Sequence, residues 1–211
     1  MTELTVALSK GRILGPTLDL LEKSGFDAGV IRNSSDRRLV LQDREGGVNY
    51  IMAKPQDIPT YVEHGVADLG VVGKDVLLEQ TGVLYELLDL KLGFCRLVVA
   101  RHRDHLERPL HYVATKYPLI TEKYFQEQGR QVEVIKLHGS VELAPLLNLA
   151  EAVVDLVSTG KTLRENNLVE VEEIAPITTR LVANQGSYQM KSYRIQQFVN
   201  SLGRAVNGDH A

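Results

Sequence analysis

Apolar residues along this chain fall into short, nearly continuous runs, and amphipathic stretches punctuated by glycine and proline separate them. That alternation predicts an α/β fold with buried strands. Leu4 to Leu8 is the first run, followed by the polar turn Ser9-Lys10-Gly11-Arg12 and by Leu14, Leu18 and Leu21 at helical spacing. Leu39 to Leu41 and Val48 to Ala53 predict two strands about the Gly46-Gly47 turn, the first beginning after Asp36-Arg37-Arg38. The arginine pair reads as a solvated edge or as a ligand clamp, the former being commoner. Asp57 is placed to cap a helix that Gly65 ends, and Ala67 to Val72 is a strand leaving through Gly73-Lys74-Asp75. Leu84 to Leu90 and Phe94 to Ala100 are further strands, with a boundary between halves near Leu92 to Arg96.

The second half repeats the grammar. Tyr112 to Ala114 exits through Thr115-Lys116-Tyr117-Pro118 into a helix ended by Gly129, and Val132 to Leu137 exits through His138-Gly139 to Ser140, the expected N-cap of a helix carrying Glu142. Ala152 to Val157 is an apolar strand interrupted by Asp155, of the kind a parallel sheet buried on both faces requires. Leu168 to Ile174 and Thr179 to Ala183 are strands, and Tyr188, Ile195, Val199 and Leu202 predict one face of a terminal helix.

Chemistry concentrates in EAVVDLVSTGKTLRENNL, from Glu151 to Leu168. After the strand, Ser158, Thr159, Gly160, Lys161 and Thr162 combine hydroxyls, a glycine and a cation where a helix begins, and unpaired N–H groups there favour an anion. The loop is not a Walker A motif, because Asp155 stands where its first glycine belongs. Two carboxylates, Glu151 and Asp155, leading into a phosphate cradle suit a phosphorylated ribose with Mg²⁺, since carboxylates accept from hydroxyls and hold hard cations. The plainer reading, a capped strand–turn–helix, stands beside it.

Four lysines, Lys10, Lys74, Lys116 and Lys161, each sit between a predicted strand and the next helix. Ligands of parallel α/β folds bind outside the carboxyl ends of strands. Lysines are common in loops, yet four at such exits in a chain of net charge −3 point to a polyanionic small molecule held in a cleft between two lobes. The negative total argues against nucleic-acid binding. A hydrophobic share of 44% with 24% charged residues is that of a soluble globular protein, without a membrane-spanning run or a secretory leader. Cys95, the single cysteine, suits a reducing cytoplasm and reads as a core residue. The histidines show no zinc spacing and no GxSxG is present, so positioning, Mg²⁺ and cationic stabilisation of a leaving phosphate are the expected chemistry.

LSKGRI, ADLGVVGKDVL, GFCRLVVA, HGSVELAPLL and EAVVDLVSTGKTL, in this order and spacing, resemble the ATP phosphoribosyltransferase family, and the resemblance covers nearly the whole chain. It implies transfer of the 5-phosphoribosyl group of phosphoribosyl pyrophosphate to N1 of ATP, with release of pyrophosphate and use of Mg²⁺, as the first step of histidine biosynthesis. It also implies two α/β lobes like those of type II periplasmic binding proteins with the active site in the cleft between them: 1–92 with 177–211, and 93–176. Carried onto this chain, Glu151 and Asp155 hold the ribose hydroxyls, and Ser158, Thr159, Gly160, Lys161 and Thr162 the 5-phosphate. Lys10, Arg12 and Lys54 face the pyrophosphate or triphosphate, although a lysine cannot form the two parallel bonds that an arginine makes with a phosphate. Asp68, Gly73, Thr115, Lys116 and Glu142 lie in other motif segments, and no direct protein ligand to a metal is assigned. The length matches the short form of the family, which works with a regulatory subunit resembling histidyl-tRNA synthetase, so that histidine inhibition is expected of the complex. A solute-binding module and a nucleotide-dependent kinase are the rival classes; the first has no use for Glu151 and Asp155 beside a phosphate loop, and the second lacks its Walker motif.

Overall fold

The computed structural model describes residues 3–35, 37–43 and 46–208, so Asp36 of the arginine-pair turn lies outside the described residues. The chain divides into two compact units, one of Met1–Leu77, Thr81–Gly93 and Thr178–Ala211, the other of Leu78–Gln80 and Phe94–Ile177. The first unit opens with β1 (Leu4–Ser9), α1 (Leu14–Lys23), α2 (Gly29–Arg32), β2 (Val40–Asp43), β3 (Val48–Ala53), α3 (Ile58–Glu63), β4 (Leu69–Gly73), α4 (Lys74–Leu78, its last residue in the second unit) and β5 (Tyr85–Asp89). The second holds β6 (Cys95–His102), β7 (Tyr112–Thr115), α5 (Pro118–Glu127), β8 (Glu133–Lys136), α6 (Leu143–Leu146), β9 (Ala152–Val157), α7 (Lys161–Glu165) and β10 (Leu168–Ile177). The chain then returns to the first unit with β11 (Thr179–Ala183), α8 (Gln185–Met190) and α9 (Ser192–Asn207).

In unit 1 six strands lie in the order β2-β3-β1-β4-β11-β5. β1, β3 and β4 run parallel, with Ser9 paired to Ala53 and Leu8 to Val71, so their carboxyl ends share one edge of the sheet. The period-two alternation of β1 explains why this sheet is covered on both faces. Leu4, Val6 and Leu8 pack with Leu18, Leu21, Ile195, Phe198 and Leu202 of α1 and α9, while Ala7 joins Ile58, Val62 and Val76 on the other side. Each fully buried large side chain contributes about 2 kcal/mol.

Unit 2 has the order β10-β6-β9-β7-β8. β9 is parallel to β7 but antiparallel to β6, so the buried strand expected of a parallel sheet sits in a mixed one. Its burial is as expected: Ala152 and Val154 face Phe125 and Ile120, and Val153 and Val157 face Val141, Ala144 and Leu163.

Two local expectations fail, and a third holds in position only. Tyr188 lies on α8, not on the terminal helix, because the chain breaks at Lys191 (φ −118°, ψ 26°), whose ammonium is drawn to Asp68 and to the Glu3 carbonyl. Ser140 has φ 47° and precedes α6, whose N-cap position is taken by Glu142. Asp57 does occupy the N-cap position of α3 but makes no side-chain capping bond.

Tyr50 is fully buried in β3, its hydroxyl has no hydrogen-bond partner among the described residues, and burial, with Asp43 and Asp27 adding to it, pushes its phenol well up. An unpartnered buried donor costs about 1–3 kcal/mol. Tyr50→Phe is therefore expected to raise the unfolding free energy by about 1 kcal/mol, read from the urea midpoint at unchanged slope.

Candidate active site

Sheet direction sorts the candidate residues. At the carboxyl edge of unit 1, Lys10 follows β1, Lys54 follows β3 and Lys74 follows β4; the Lys10 N–H donates to the Ala53 carbonyl at 2.9 Å, tying two of these exits together. Arg12 is exposed in the same turn, after Gly11 at φ 104°. Lys74 serves structure: its ammonium pairs with Glu86, which also meets Arg180 at 3.3 Å. The backbone before it is close-packed, since a Cβ on Gly73 would stand 2.2 Å from the Asp75 carboxylate.

Beside Lys10 lies a pocket of about 470 Å³, within the usual range for small-molecule sites. Leu14, Leu18 and Met52 give it apolar walls, and Arg38, Ser34 and Ser35 add a guanidinium and two hydroxyls. Arg32 also reaches it but is held by Asp19 and Glu22. The sequence leaves Arg38 open between edge and clamp; in the fold it is exposed and lines the same pocket as Lys10. Only the tertiary course of the chain reveals this, because the arginine precedes an edge strand.

In unit 2 the parallel strands β7, β8 and β9 also end along one edge. Thr115 pairs with Val154, which brings the exit at Lys116 level with Asp155. Thr115 itself is fully buried, its hydroxyl donating to the Val154 carbonyl at 2.8 Å and accepting from the Tyr117 N–H at 2.9 Å, so it shapes the turn. Asp155 shares a face of β9 with Val153 and Val157, beneath α6. Burial pushes its carboxyl up, Glu142 reinforces the shift, and Lys116 opposes it. These three charged groups are thus brought together.

The loop beyond β9 turns on Gly160, the N-cap of α7, at φ 69° and ψ 9°. A side chain there would be strained, and its Cβ would stand 3.0 Å from Arg164 Nη1 and 3.4 Å from Glu170 Oε1. Arg164 Nη1 donates to the Thr159 carbonyl at 3.0 Å, and the Lys161 N–H reaches Thr159 Oγ1 at 3.4 Å. Ser158, Thr159, Lys161 and Thr162 are exposed, and Lys161 pairs loosely with Glu165 at 3.7 Å. Since α7 has five residues, its dipole is small. The groups this loop offers to solvent are its N–H groups, hydroxyls and ammonium, which suit an anion.

Two expected residues are elsewhere. Glu151 precedes β9, at the strand end opposite the loop, and its carboxylate accepts from the Tyr112 N–H at 2.7 Å and the His111 N–H at 3.1 Å. Partial burial acts to raise its pKa, but these backbone donors outweigh it and hold the carboxyl below its ordinary value. Glu151 pins β7 to β9 and cannot join Asp155 over one ribose. A depressed folded pKa adds stability above the unfolded value of 4.5 that is lost as pH falls through the folded value. Glu151→Gln should therefore lower the melting temperature at pH 7, with the difference fading below pH 4.5, and leave affinity for a sugar phosphate unchanged.

Asp68 likewise precedes β4, away from the cationic edge. It is 5% exposed, pairs with Lys191 at 2.8 Å, and accepts from the Thr5 N–H at 2.8 Å and the Ser187 hydroxyl at 2.6 Å. It fastens α8 and α9 to β1. Asp68→Ala should cost about 3 kcal/mol in unfolding free energy without changing substrate affinity in the fraction that folds, as denaturation and titration would show.

A family model described as ATP phosphoribosyltransferase matches residues 54–204. An ATP phosphoribosyltransferase of Halalkalibacterium halodurans is 51% identical over 100% of both chains. One from Caldanaerobacter subterraneus is 49% identical over 99% of this chain and 100% of its own. Among solved structures, the ATP phosphoribosyl transferase (HisG:HisZ) complex from Thermotoga maritima superposes with a TM-score of 0.83 at 33% identity, over 98% of this chain and 100% of that one. With a family model matching residues 54–204 and about half its residues shared with these relatives along its full length, this chain belongs to the ATP phosphoribosyltransferase family.

Proposed function

We propose that this chain transfers the 5-phosphoribosyl group of phosphoribosyl pyrophosphate to N1 of ATP, with unit 2 holding the phosphoribosyl end. The observation that carries the assignment of ends is the loop of Ser158 to Thr162, turned by a left-handed Gly160 directly after a strand bearing Asp155. Its N–H groups, hydroxyls and Lys161 bind the 5-phosphate, and Asp155 accepts from the ribose hydroxyls. Glu142 and Lys116 set the charge around Asp155. In unit 1, Lys10, Arg12 and Lys54 serve the pyrophosphate or triphosphate, and Arg38 joins them from the pocket beside Lys10.

In the transfer, the bond from the anomeric carbon to the pyrophosphate oxygen breaks with its electron pair, and the adenine N1 lone pair forms the new bond. Negative charge grows on the leaving group, where fixed cations are worth most; removing one such donor costs about 3 kcal/mol. Mg²⁺ would fit here with substrate phosphates supplying most of its shell: among the described residues no group of three or more His, Cys, Asp or Glu could hold a metal, and Asp155, on which the charge of Glu142 acts, is the carboxylate that would meet it. Bound with the pyrophosphate, the ion would neutralise charge on the leaving group.

The Thermotoga relative was solved as a complex of two proteins, and a regulatory subunit resembling histidyl-tRNA synthetase is the partner we assign here. Histidine inhibition then belongs to the complex. A cytoplasmic setting suits the buried single thiol of Cys95. The test is pyrophosphate release by the purified chain with Mg²⁺, with each substrate alone and both together, with and without that subunit. Release that needs both substrates and rises with the partner supports the reading; release from one substrate alone, or histidine binding by the isolated chain at regulatory affinity, overturns the corresponding part.

A further inference from the structure

The loop assigned above to the 5-phosphate has a carboxylate close to its backbone. Glu170 Oε1 would stand 3.4 Å from a Cβ on Gly160, which puts it within about 5 Å of the Gly160 Cα. Glu170 lies on β10, beyond α7 in the chain, and only the return of that strand brings it to the loop. Like charges nearer than the Debye length, about 10 Å at 0.1 M salt, are incompletely screened. A carboxylate at this place therefore opposes a phosphate monoester held on the N–H groups of Gly160 and its neighbours.

The side chain that answers this charge comes from a third strand. Arg96 of β6 pairs in register with Val157, the last residue of β9 before the loop, so it stands one strand from the loop's root. It grips Glu170 with both terminal nitrogens: Nη1 is 2.7 Å from Oε2, and Nη2 donates to Oε1 at 3.1 Å. Nη1 also meets Glu173 at 3.6 Å. Both members of the main pair are partly exposed, and such pairs add little to stability. Place gives this one its consequence. Arg164 Nη1, at 3.0 Å from the same Cβ position, is engaged by the Thr159 carbonyl at 3.0 Å, so it fastens the loop while Arg96 balances Glu170.

We propose that Arg96 is a positioning residue for the transfer: held in two bonds with Glu170, it cancels the carboxylate beside the phosphate loop and so sets the affinity of that loop for the 5-phosphate. Arg96 acts through Glu170 and touches no substrate. This role rests on the assignment of the 5-phosphate to Ser158 to Thr162.

Ribose 5-phosphate titrated into the full chain, with ribose as the uncharged probe and the amide resonances of Gly160, Lys161 and Thr162 as the reporters, tests the two levels separately. At about 0.05 M salt Arg96→Gln should weaken ribose 5-phosphate about fivefold, and at about 0.5 M the ratio to wild type should shrink towards one. Adding Glu170→Gln to Arg96→Gln should recover most of the loss, Glu170→Gln alone should bind at least as tightly as wild type, and the charge-keeping Arg96→Lys should stay within about twofold. A structural role for the pair predicts the opposite order, with the double variant at least as weak as Arg96→Gln and no dependence on salt. Arg96→Gln that binds as wild type does, or a double variant that recovers nothing, overturns the role of Arg96 and leaves the loop assignment standing. If Arg96→Gln does not fold, Glu170→Gln alone decides, since weaker binding by it contradicts the role. Wild-type loop amides that do not shift by about 10 mM ribose 5-phosphate, or that shift equally with ribose, overturn the loop assignment and the role of Arg96 with it.

Discussion

Asp155→Asn is expected to lower kcat/KM for phosphoribosyl pyrophosphate about 100-fold and, at neutral pH, to raise the melting temperature. The two effects have one cause. Asp155 lies on an apolar face of β9 with Val153 and Val157, and burial, with Glu142 behind it, pushes its carboxyl up. A folded-state pKa above the unfolded value of 3.8 means that the folded protein binds the proton more tightly. Stability is then greatest while the group is protonated and falls as pH rises through the folded pKa. Asparagine removes that penalty but accepts from ribose hydroxyls with a neutral amide, and charge-assisted bonds of about 1.5–3 kcal/mol become weaker ones. Thermal melts across pH would show wild type and variant converging towards acid. Equal melting temperatures at neutral pH would contradict the burial penalty, and full activity would remove Asp155 from the ribose site.

Gly160→Ala should raise KM for phosphoribosyl pyrophosphate by about 100-fold with a smaller change in KM for ATP. A left-handed residue other than glycine costs about 1–2 kcal/mol, and here its Cβ also meets Arg164 Nη1 at 3.0 Å. The guanidinium end can give way, so the fold survives. The backbone relieves its strain by leaving the left-handed region, which turns neighbouring N–H groups away from the phosphate, and the loss of two such bonds accounts for the magnitude. Steady-state kinetics with each substrate varied separately, alongside circular dichroism, separates this from unfolding.

The strands were readable because their signal is local. Thr179–Ala183 has the bounds its apolar run predicts, and most others differ by a residue or two at the ends. The loop after β9 was readable for the same reason: hydroxyls, glycine and lysine follow the strand in sequence. What the chain alone could not give was direction. Glu151 and Asp155 are four residues apart and look like one pair, yet they lie at opposite ends of a strand, and Glu151 is committed to the Tyr112 and His111 amides. Asp68 and Lys74 sit in motif segments, but their partners, Lys191 and Glu86, are distant in sequence. Arg38 shows the converse, since its approach to Lys10 depends on where β2 joins the sheet. The break at Lys191 was equally hidden, because no glycine or proline marks it and an ion pair to Asp68 fixes the turn.

In the proposed reaction Ser158 to Thr162 hold the 5-phosphate, and Lys10, Arg12 and Lys54 serve the other phosphates. Titration of ribose 5-phosphate, which lacks pyrophosphate, into the wild-type chain, Lys161→Ala and Lys10→Ala separates the two most directly. Affinity that falls about tenfold in Lys161→Ala and is unchanged in Lys10→Ala is the predicted result. Affinity that is unchanged in Lys161→Ala and lost in Lys10→Ala would contradict the assignment.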